Sequence, residues 1–181
     1  MVYVMLAEGF EEVEAITVVD ILRRAEIPVT TVAVTEGPVV VGSHGIGVTA
    51  DASPDPDALK KADLVVLPGG MPGTLNLDQS PMLDEVLRER AAKGQPLAAI
   101  CAAPMVLAHK GILDGRCATI YQGMEAELGK AVHTEGDVVT DGNIVTSKGP
   151  GTAMRFALAL VGFLKGDSVA EEVRTGLLYK G

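Results

Sequence analysis

Two short runs without a polar side chain, Leu64–Leu67 and Leu97–Ile100, constrain the fold of this chain more than any other feature. A strand with one wet face alternates apolar and polar residues. A run that is apolar at every position has both faces covered, as in a parallel sheet between two layers of helices. Val2–Ala7 is a third such run. Gly9 breaks it, and Glu11, Glu12 and Glu14 then fall in the first turn of a helix, where carboxylates suit the positive end of the dipole. That helix reaches Arg24, with Val13, Ile16 and Leu22 at helical spacing. Pro28 follows, then Val29–Val34, in which Thr alternates with apolar residues. Strand, helix and strand make a βαβ unit, whose usual outcome is a parallel pair.

The rest of the chain repeats the alternation. Gly37–Val48 reads as a β-excursion, and Ser53–Asp57 as a turn into a short helix. A helix is expected over Pro81–Lys93, with Pro in its first turn and Gly94 after its end. Pro104–Lys110 is a helix directly behind Cys101, and Ala118–Tyr121 a strand. Val138–Thr140 and Ile144–Thr146 flank the turn Asp141-Gly142-Asn143 as a hairpin. Thr152–Leu164 and Asp167–Leu178 are the last two helices. This order predicts one α/β domain over residues 1–181: a three-layer sandwich, with a flavodoxin-like, mostly parallel sheet and helices on both faces.

Composition narrows the function. Aromatic residues are only 3% of the chain, so Val, Ala, Leu and Ile must fill the core. The net charge of −9 repels phosphate backbones and argues against nucleic-acid partners. The apolar runs are far too short to span a bilayer, and Met1–Ala7 lacks the basic start of a signal peptide. Two cysteines do not make a disulfide scaffold, so a reducing cytoplasm is the expected compartment.

Ligands of open α/β sheets bind at the carboxyl ends of the strands. Three segments there carry unusual residues. In Ala99-Ile100-Cys101-Ala102-Ala103-Pro104 a buried strand meets a helix through a cysteine with small residues two before and two after it. That is the spacing of a nucleophile elbow, with Ala in the usual Gly positions. A sharp turn strains the nucleophile's backbone and aims its thiol at a helix start, which favours thiolate at neutral pH. The N–H of Ala102 is a candidate oxyanion donor, and Gly70 of Pro68-Gly69-Gly70 a second. Glu14 lies on the mostly apolar stripe Glu14–Val18–Ile21–Ala25, so its carboxyl must stay protonated or find a partner. The other signals are weaker. Gly45-x-Gly47-x-x-Ala50 lacks the strand and helix a dinucleotide site needs. Gly149-Pro150-Gly151-Thr152 reads as a plain N-cap at Thr152. Cys117 reads as a packing residue. His44, His109 and His133 show no metal-ligand spacing, and no metal or organic cofactor is expected.

Four stretches, in this order, resemble the ThiJ/PfpI superfamily: Ala7-Glu8-Gly9-Phe10-Glu11-Glu12-Val13-Glu14, Val65-Val66-Leu67-Pro68-Gly69-Gly70, Ala98 to Pro104, and Ser147-Lys148-Gly149-Pro150-Gly151-Thr152. The likeness covers nearly the whole chain and is greatest to the subgroup of the parkinsonism-associated protein deglycase and its bacterial relatives. The resemblance implies that Cys101 is the reactive cysteine, that Glu14 hydrogen-bonds it, and that Gly70 and Ala102 donate around it. Glu11, Gly69, Tyr121, Arg24 and His44 would complete the pocket, with Arg24 and His44 placed where the partner subunit of a homodimer approaches. It further implies cofactor-free glyoxalase or deglycase chemistry on methylglyoxal, glyoxal or glycated protein side chains. The alternative is an oxidative-stress sensor or chaperone whose cysteine is oxidised to a sulfinate. Tyr121 stands where the family's glyoxalases often carry a His, so a Cys–His dyad is not expected. The His-x-Glu pair of the related glutamine amidotransferases is absent, which argues against amidotransfer.

Overall fold

The computed structural model describes residues 1–181. Its centre is a six-stranded sheet in the order β2-β1-β5-β6-β10-β9. The strands are β1 (Val2–Leu6), β2 (Val29–Ala33), β5 (Leu64–Leu67), β6 (Leu97–Ile100), β9 (Val138–Asp141) and β10 (Ile144–Ser147). All neighbours pair in parallel except β9 and β10, which form the expected hairpin. Two small strands, β3 (Val39–Val41) and β4 (Gly47–Thr49), make the excursion a separate two-stranded ribbon.

The apolar runs divide their side chains between two cores. Val2, Val4, Leu6, Leu64, Val66, Ala98 and Ile100 face one way, onto α1 (Glu12–Arg24) and α6 (Ala153–Lys165). Met5, Val65, Leu67, Leu97 and Ala99 face the other, onto α4 (Pro81–Ala92) and α5 (Pro104–His109). The helices α2 (Pro56–Lys60) and α3 (Gly73–Asp78) complete that layer, and α7 (Asp167–Gly176) packs against α6. The three-layer α/β architecture expected from the sequence is the one observed. No helix is long and apolar enough to cross a membrane.

Local differences have local causes. The strand expected over Ala118–Tyr121 shrinks to β7 (Cys117–Ala118), paired with β8 (Val132–His133). Beyond Ala118, the N–H of Thr119 goes to the Thr146 hydroxyl and that of Tyr121 to the Cys101 carbonyl, so neither joins a ladder. Cys117 is exposed rather than packed. On α1, Glu14, Val18 and Ile21 are buried, whereas Val13 and Ile16 are 52% and 44% exposed. The core therefore takes the stripe that carries a carboxyl and leaves two apolar residues in solvent.

Candidate active site

Strand order reverses at β1, which has β2 on one side and β5 on the other. Crevices form at such switch points, beyond the carboxyl ends of the strands. Here the loop after β1 and the loop after β5 interlock. Glu11 N–H donates to the Gly69 carbonyl at 2.9 Å, and Gly73 N–H to the Gly9 carbonyl at 3.2 Å. Glycine is required at Gly9, Gly69, Gly70 and Gly73, where a Cβ would meet neighbouring atoms at less than 3.0 Å. Gly70 has φ +92°, and a Cβ there would overlap the backbone of Gly9 and Glu11. A Cβ on Gly69 would come 2.6 Å from Cys101 Cβ and 2.9 Å from Glu14 Oε2. Glycine at 69 is thus what lets the β5 loop pass close to both the thiol and the carboxyl.

Cys101 follows β6 with φ +64°, in the left-handed region that a side chain adopts at a penalty of about 1–2 kcal/mol. The end of β10 and the loop after β7 fix it there. Its N–H donates to the Ser147 carbonyl and its carbonyl accepts from Tyr121 N–H, both at 2.9 Å. Ala99 and Ala103, two residues to either side, are fully buried, which leaves no room for larger side chains. The backbone N–H groups of Gly70 and Ala102 and the Glu14 carboxyl surround the sulfur and act on its proton, the two N–H groups lowering its affinity and the carboxyl raising it. Glu14 itself is 0% exposed. Its Oε2 accepts from Gly69 N–H at 2.8 Å, and its Oε1 has no hydrogen-bond partner.

A free thiolate at neutral pH, expected from the elbow alone, does not follow from this geometry. Burial, then the negative charge of Glu14, pushes the Cys101 thiol up to about 12, against the opposing pull of the Ala102 and Gly70 N–H groups. Burial likewise pushes Glu14 up to about 7, against the Gly69 and Cys101 hydrogen bonds. Two acids this close and this dry cannot both ionise. The pair carries two protons below about pH 7 and shares one above it. The helix behind the elbow, α5, has only six residues and offers little dipole to offset the burial.

The structure thus brings Cys101, Glu14, Gly69, Gly70 and Ala102 together. Tyr121 joins them through its backbone, while its ring is 48% exposed and lies against Gly149. A cavity of about 520 Å³ opens there between Tyr121–Gly123 and Lys148–Thr152. Thr152 does not cap α6 with its side chain as expected: its hydroxyl bonds back to Gly149 and to Ser147 instead. Glu11 sits beside the crevice, with Oε2 3.2 Å from Ser43 Oγ. His44 turns toward Glu11 and Glu12 rather than toward Cys101. Arg24 is not brought to the sulfur by its own chain. It is ten residues beyond Glu14 on α1, about 15 Å along the axis, and pairs with Asp20 at 2.6 Å. Sequence reading missed the roles of Ser147 and Glu12. Ser147 is invisible because a backbone carbonyl does its work. Glu12 is 6% exposed and ties down the turn between β3 and β4.

Comparison with known proteins gives concordant results. The DJ-1/PfpI family model matches residues 1–162. Protein dj-1beta of Drosophila melanogaster is 42% identical over 177 residues, covering 97% of this chain and 95% of that protein. The Caenorhabditis elegans protein named glutathione-independent glyoxalase DJR-1.2 is 33% identical over 160 residues, covering 88% of this chain and 85% of its own. The solved structure of oxidised DJ-1 from Toxoplasma gondii superposes with a TM-score of 0.93 at 36% identity, covering 99% of this chain and 98% of that one.

Proposed function

The chain belongs to the DJ-1/PfpI family, and from that premise we propose that it is a cofactor-independent glyoxalase or deglycase acting on α-oxoaldehydes or their adducts with protein side chains. The observation that carries this reading is the strained Cys101, whose sulfur lies among two backbone N–H groups and a buried carboxyl that act on its proton. A relative of the same family is named for glyoxalase activity.

For methylglyoxal, the sulfur attacks the aldehyde carbon while its proton passes to ionised Glu14. The developing oxyanion is held by Gly70 and Ala102, in the way that backbone donors stabilise tetrahedral intermediates. Glu14 returns that proton to the oxyanion, which gives the hemithioacetal and restores the carboxylate. It then takes the proton from the former aldehyde carbon and delivers it to the neighbouring carbonyl carbon, while the hemithioacetal O–H proton passes to the neighbouring oxygen. This leaves a lactoyl thioester on Cys101. Water hydrolyses the thioester, so methylglyoxal plus water becomes lactate plus a proton. Carboxyl-mediated proton transfer of this kind contributes about 10²–10⁴-fold. With Tyr121 in place of a His, Glu14 is the titratable side chain that acts on the Cys101 thiol. The cavity beside Tyr121 is where the rest of a glycated side chain would lie.

The test is lactate formation from methylglyoxal by the wild type and by Cys101→Ser. Product in the wild type and none in the variant is the expected result. Equal consumption of methylglyoxal by the two would end the reading.

The exposed apolar residues Val13 and Ile16 of α1, with Val39, Val41 and Ile46 of the neighbouring ribbon, support a homodimer packed through this face. Arg24 would then act across the interface. The two unpaired cysteines suit a reducing compartment, and the reaction is assigned to the cytoplasm.

A second reading has its own support. A relative has been solved in an oxidised form. The donors around the sulfur would also hold the oxygens of a sulfinate, with Glu14 protonated against one of them. Selective oxidation of Cys101 by mild peroxide, without lactate formation, would favour this reading over the first.

A further inference from the structure

Glu11 and Glu12 are adjacent, and both are more than nine-tenths buried. Buried carboxylates need a counter-charge, either a cationic side chain or a metal. Neither has a lysine or arginine within ion-pair distance; the one basic side chain that reaches them is His44, charged only when protonated. His44 arrives from the turn between β3 and β4. Its Nδ1 is 3.0 Å from Glu12 Oε2 and 3.6 Å from Glu11 Oε2. Ser43 Oγ lies 3.1 Å from that nitrogen, 3.2 Å from Glu11 Oε2 and 3.3 Å from Glu12 Oε2.

These separations are hydrogen-bond and ion-pair contacts as the side chains stand, and they also hold the ligand atoms of Glu11, Glu12 and His44 within 4.8 Å of one another, close enough to converge on one ion. Bonds of about 2.0–2.1 Å to zinc put neighbouring ligands about 2.9 Å apart in an octahedron and about 3.4 Å apart in a tetrahedron. The surroundings also suit an ion. Glu12 Oε1 accepts from His44 N–H at 2.8 Å and Ile46 N–H at 3.3 Å, which fixes the carboxyl and leaves Oε2 directed at the cluster. A Cβ on Gly42 would overlap the Glu12 carboxyl, so glycine there lets the turn close over it. The imidazole is mostly exposed, which opens one side of the cluster to solvent.

We propose that Glu11, Glu12 and His44, with the Ser43 hydroxyl as a neutral fourth ligand, form a site for a divalent transition-metal ion of the zinc and cobalt class. One imidazole nitrogen with carboxylate oxygens fits these ions. The site lies next to the Cys101 crevice and does not include the sulfur. It does not depend on the aldehyde chemistry. No sequence pattern announces it, because its ligands come from a helix start and a turn 32 residues away.

The experiment is a titration of the full chain, freed of metal by dialysis against a chelator, with Co²⁺ and then Zn²⁺. One Co²⁺ per chain is expected, with visible d–d absorption and without the near-ultraviolet sulfur-to-cobalt charge-transfer band. Zn²⁺ should bleach that spectrum and raise Tm. His44→Gln should weaken Co²⁺ binding by about 100-fold or more, whereas Cys101→Ser should leave the visible band in place. Glu11→Gln carries the same expectation as His44→Gln and serves if the latter does not fold. The proposal is overturned if the wild type shows no saturable Co²⁺ uptake, which would leave an ion pair with protonated His44. It is equally overturned if uptake survives both variants, or if the spectrum is that of a cobalt thiolate lost with Cys101→Ser.

Discussion

Glu14 and Arg90 are both fully buried, at opposite ends of the same sheet, and the protein treats the two charges differently. Arg90 lies at the amino ends of β5 and β6. Its Nη1 donates to the carbonyls of Leu59 and Ala62, at 2.8 and 3.0 Å, and its Nη2 to that of Pro96 at 2.7 Å. Burial lowers the guanidinium only to about 10, so it stays charged at neutral pH and clips the connections leading into both strands. Glu14, at the carboxyl ends, receives one backbone N–H and keeps one oxygen unpartnered. Its proton is loose near neutrality. A buried charge with its hydrogen bonds largely made holds structure together. One left short of partners is held ready to exchange a proton, and it lowers stability while it waits.

If the two ends divide in this way, substitutions at each should move different observables. The largest effect belongs to the carboxyl end. Cys101→Ser should bring methylglyoxal turnover to background with Tm nearly unchanged, because Ser fits the same small space. Glu14→Gln should lower kcat/KM by about 10²–10⁴-fold. It should also remove the pH dependence on the acid side. Wild-type activity should rise as pH increases through about 7, where Glu14 ionises and would become able to take the thiol proton. A pH–rate profile of the two proteins checks both points, and a persistent rise near pH 7 in the Gln variant would assign that limb to another group.

At the amino end, Arg90→Met should destabilise the fold by about 3–5 kcal/mol, since three buried carbonyls lose their donor. Activity per folded molecule should stay close to wild type. Urea unfolding combined with lactate formation normalised to the folded fraction separates the two quantities. A specific loss of activity in the folded fraction would show that the ends are coupled through β5 and β6.

Glu14→Gln has a stability effect of opposite sign. Glu14 titrates at about 7 in the folded chain against an ordinary 4.5, so the folded state holds a proton that the unfolded state has released between those values. Stability therefore falls as pH rises through that window. Above it, the ionised group costs about 3 kcal/mol, from 1.36 kcal/mol per unit. The Gln variant is neutral throughout. It should match the wild type near pH 4.5 and exceed it by about 1–3 kcal/mol at pH 8, measured as urea midpoints at the two pH values.

How far each end was legible in the sequence follows from the same physics. The apolar runs declare the sheet, since nothing else needs a strand without polar residues, and Ala99-x-Cys101-x-Ala103 declares the elbow, since only small neighbours fit it. Glu14 is readable as a carboxyl on an apolar stripe. The ionisation of the Cys101–Glu14 pair is not, because it depends on burial and on a distance between residues 87 positions apart. Arg90 is hidden for a related reason: within a polar, charged helix nothing marks it as the residue that turns inward. The short α3 escapes because Pro72 and Gly73 read as loop. The Val13–Ile16 face misleads because a helix seen alone does not say which of its two apolar stripes meets the core.

The smallest effect expected lies between the two ends, at His109. Its Nδ1 is 2.8 Å from Asp78 at the end of α3, and its Nε2 is 3.1 Å from Glu127 in the turn that follows Tyr121. Both ring nitrogens can donate only in the imidazolium. The Asp78 hydrogen bond, with smaller contributions from Glu127, accordingly raises the His109 pKa. The sign is opposite to that of Glu14. A histidine whose pKa is raised by folding contributes its stability fully below the ordinary value of about 6.5 and loses it as pH rises through the folded one. The side chain is partly exposed, so solvent screening limits the gain to about 0.5 kcal/mol. His109→Gln should therefore lower stability by about that amount at pH 5.5 and by nothing measurable at pH 9. Because α5 and the turn after Tyr121 both flank Cys101, the same variant tests whether the helices behind the elbow feed into the chemistry. Unchanged kcat/KM at both pH values would confine the imidazolium to structure, and a loss that tracks its deprotonation would extend the reactive end of the molecule to the back of α5.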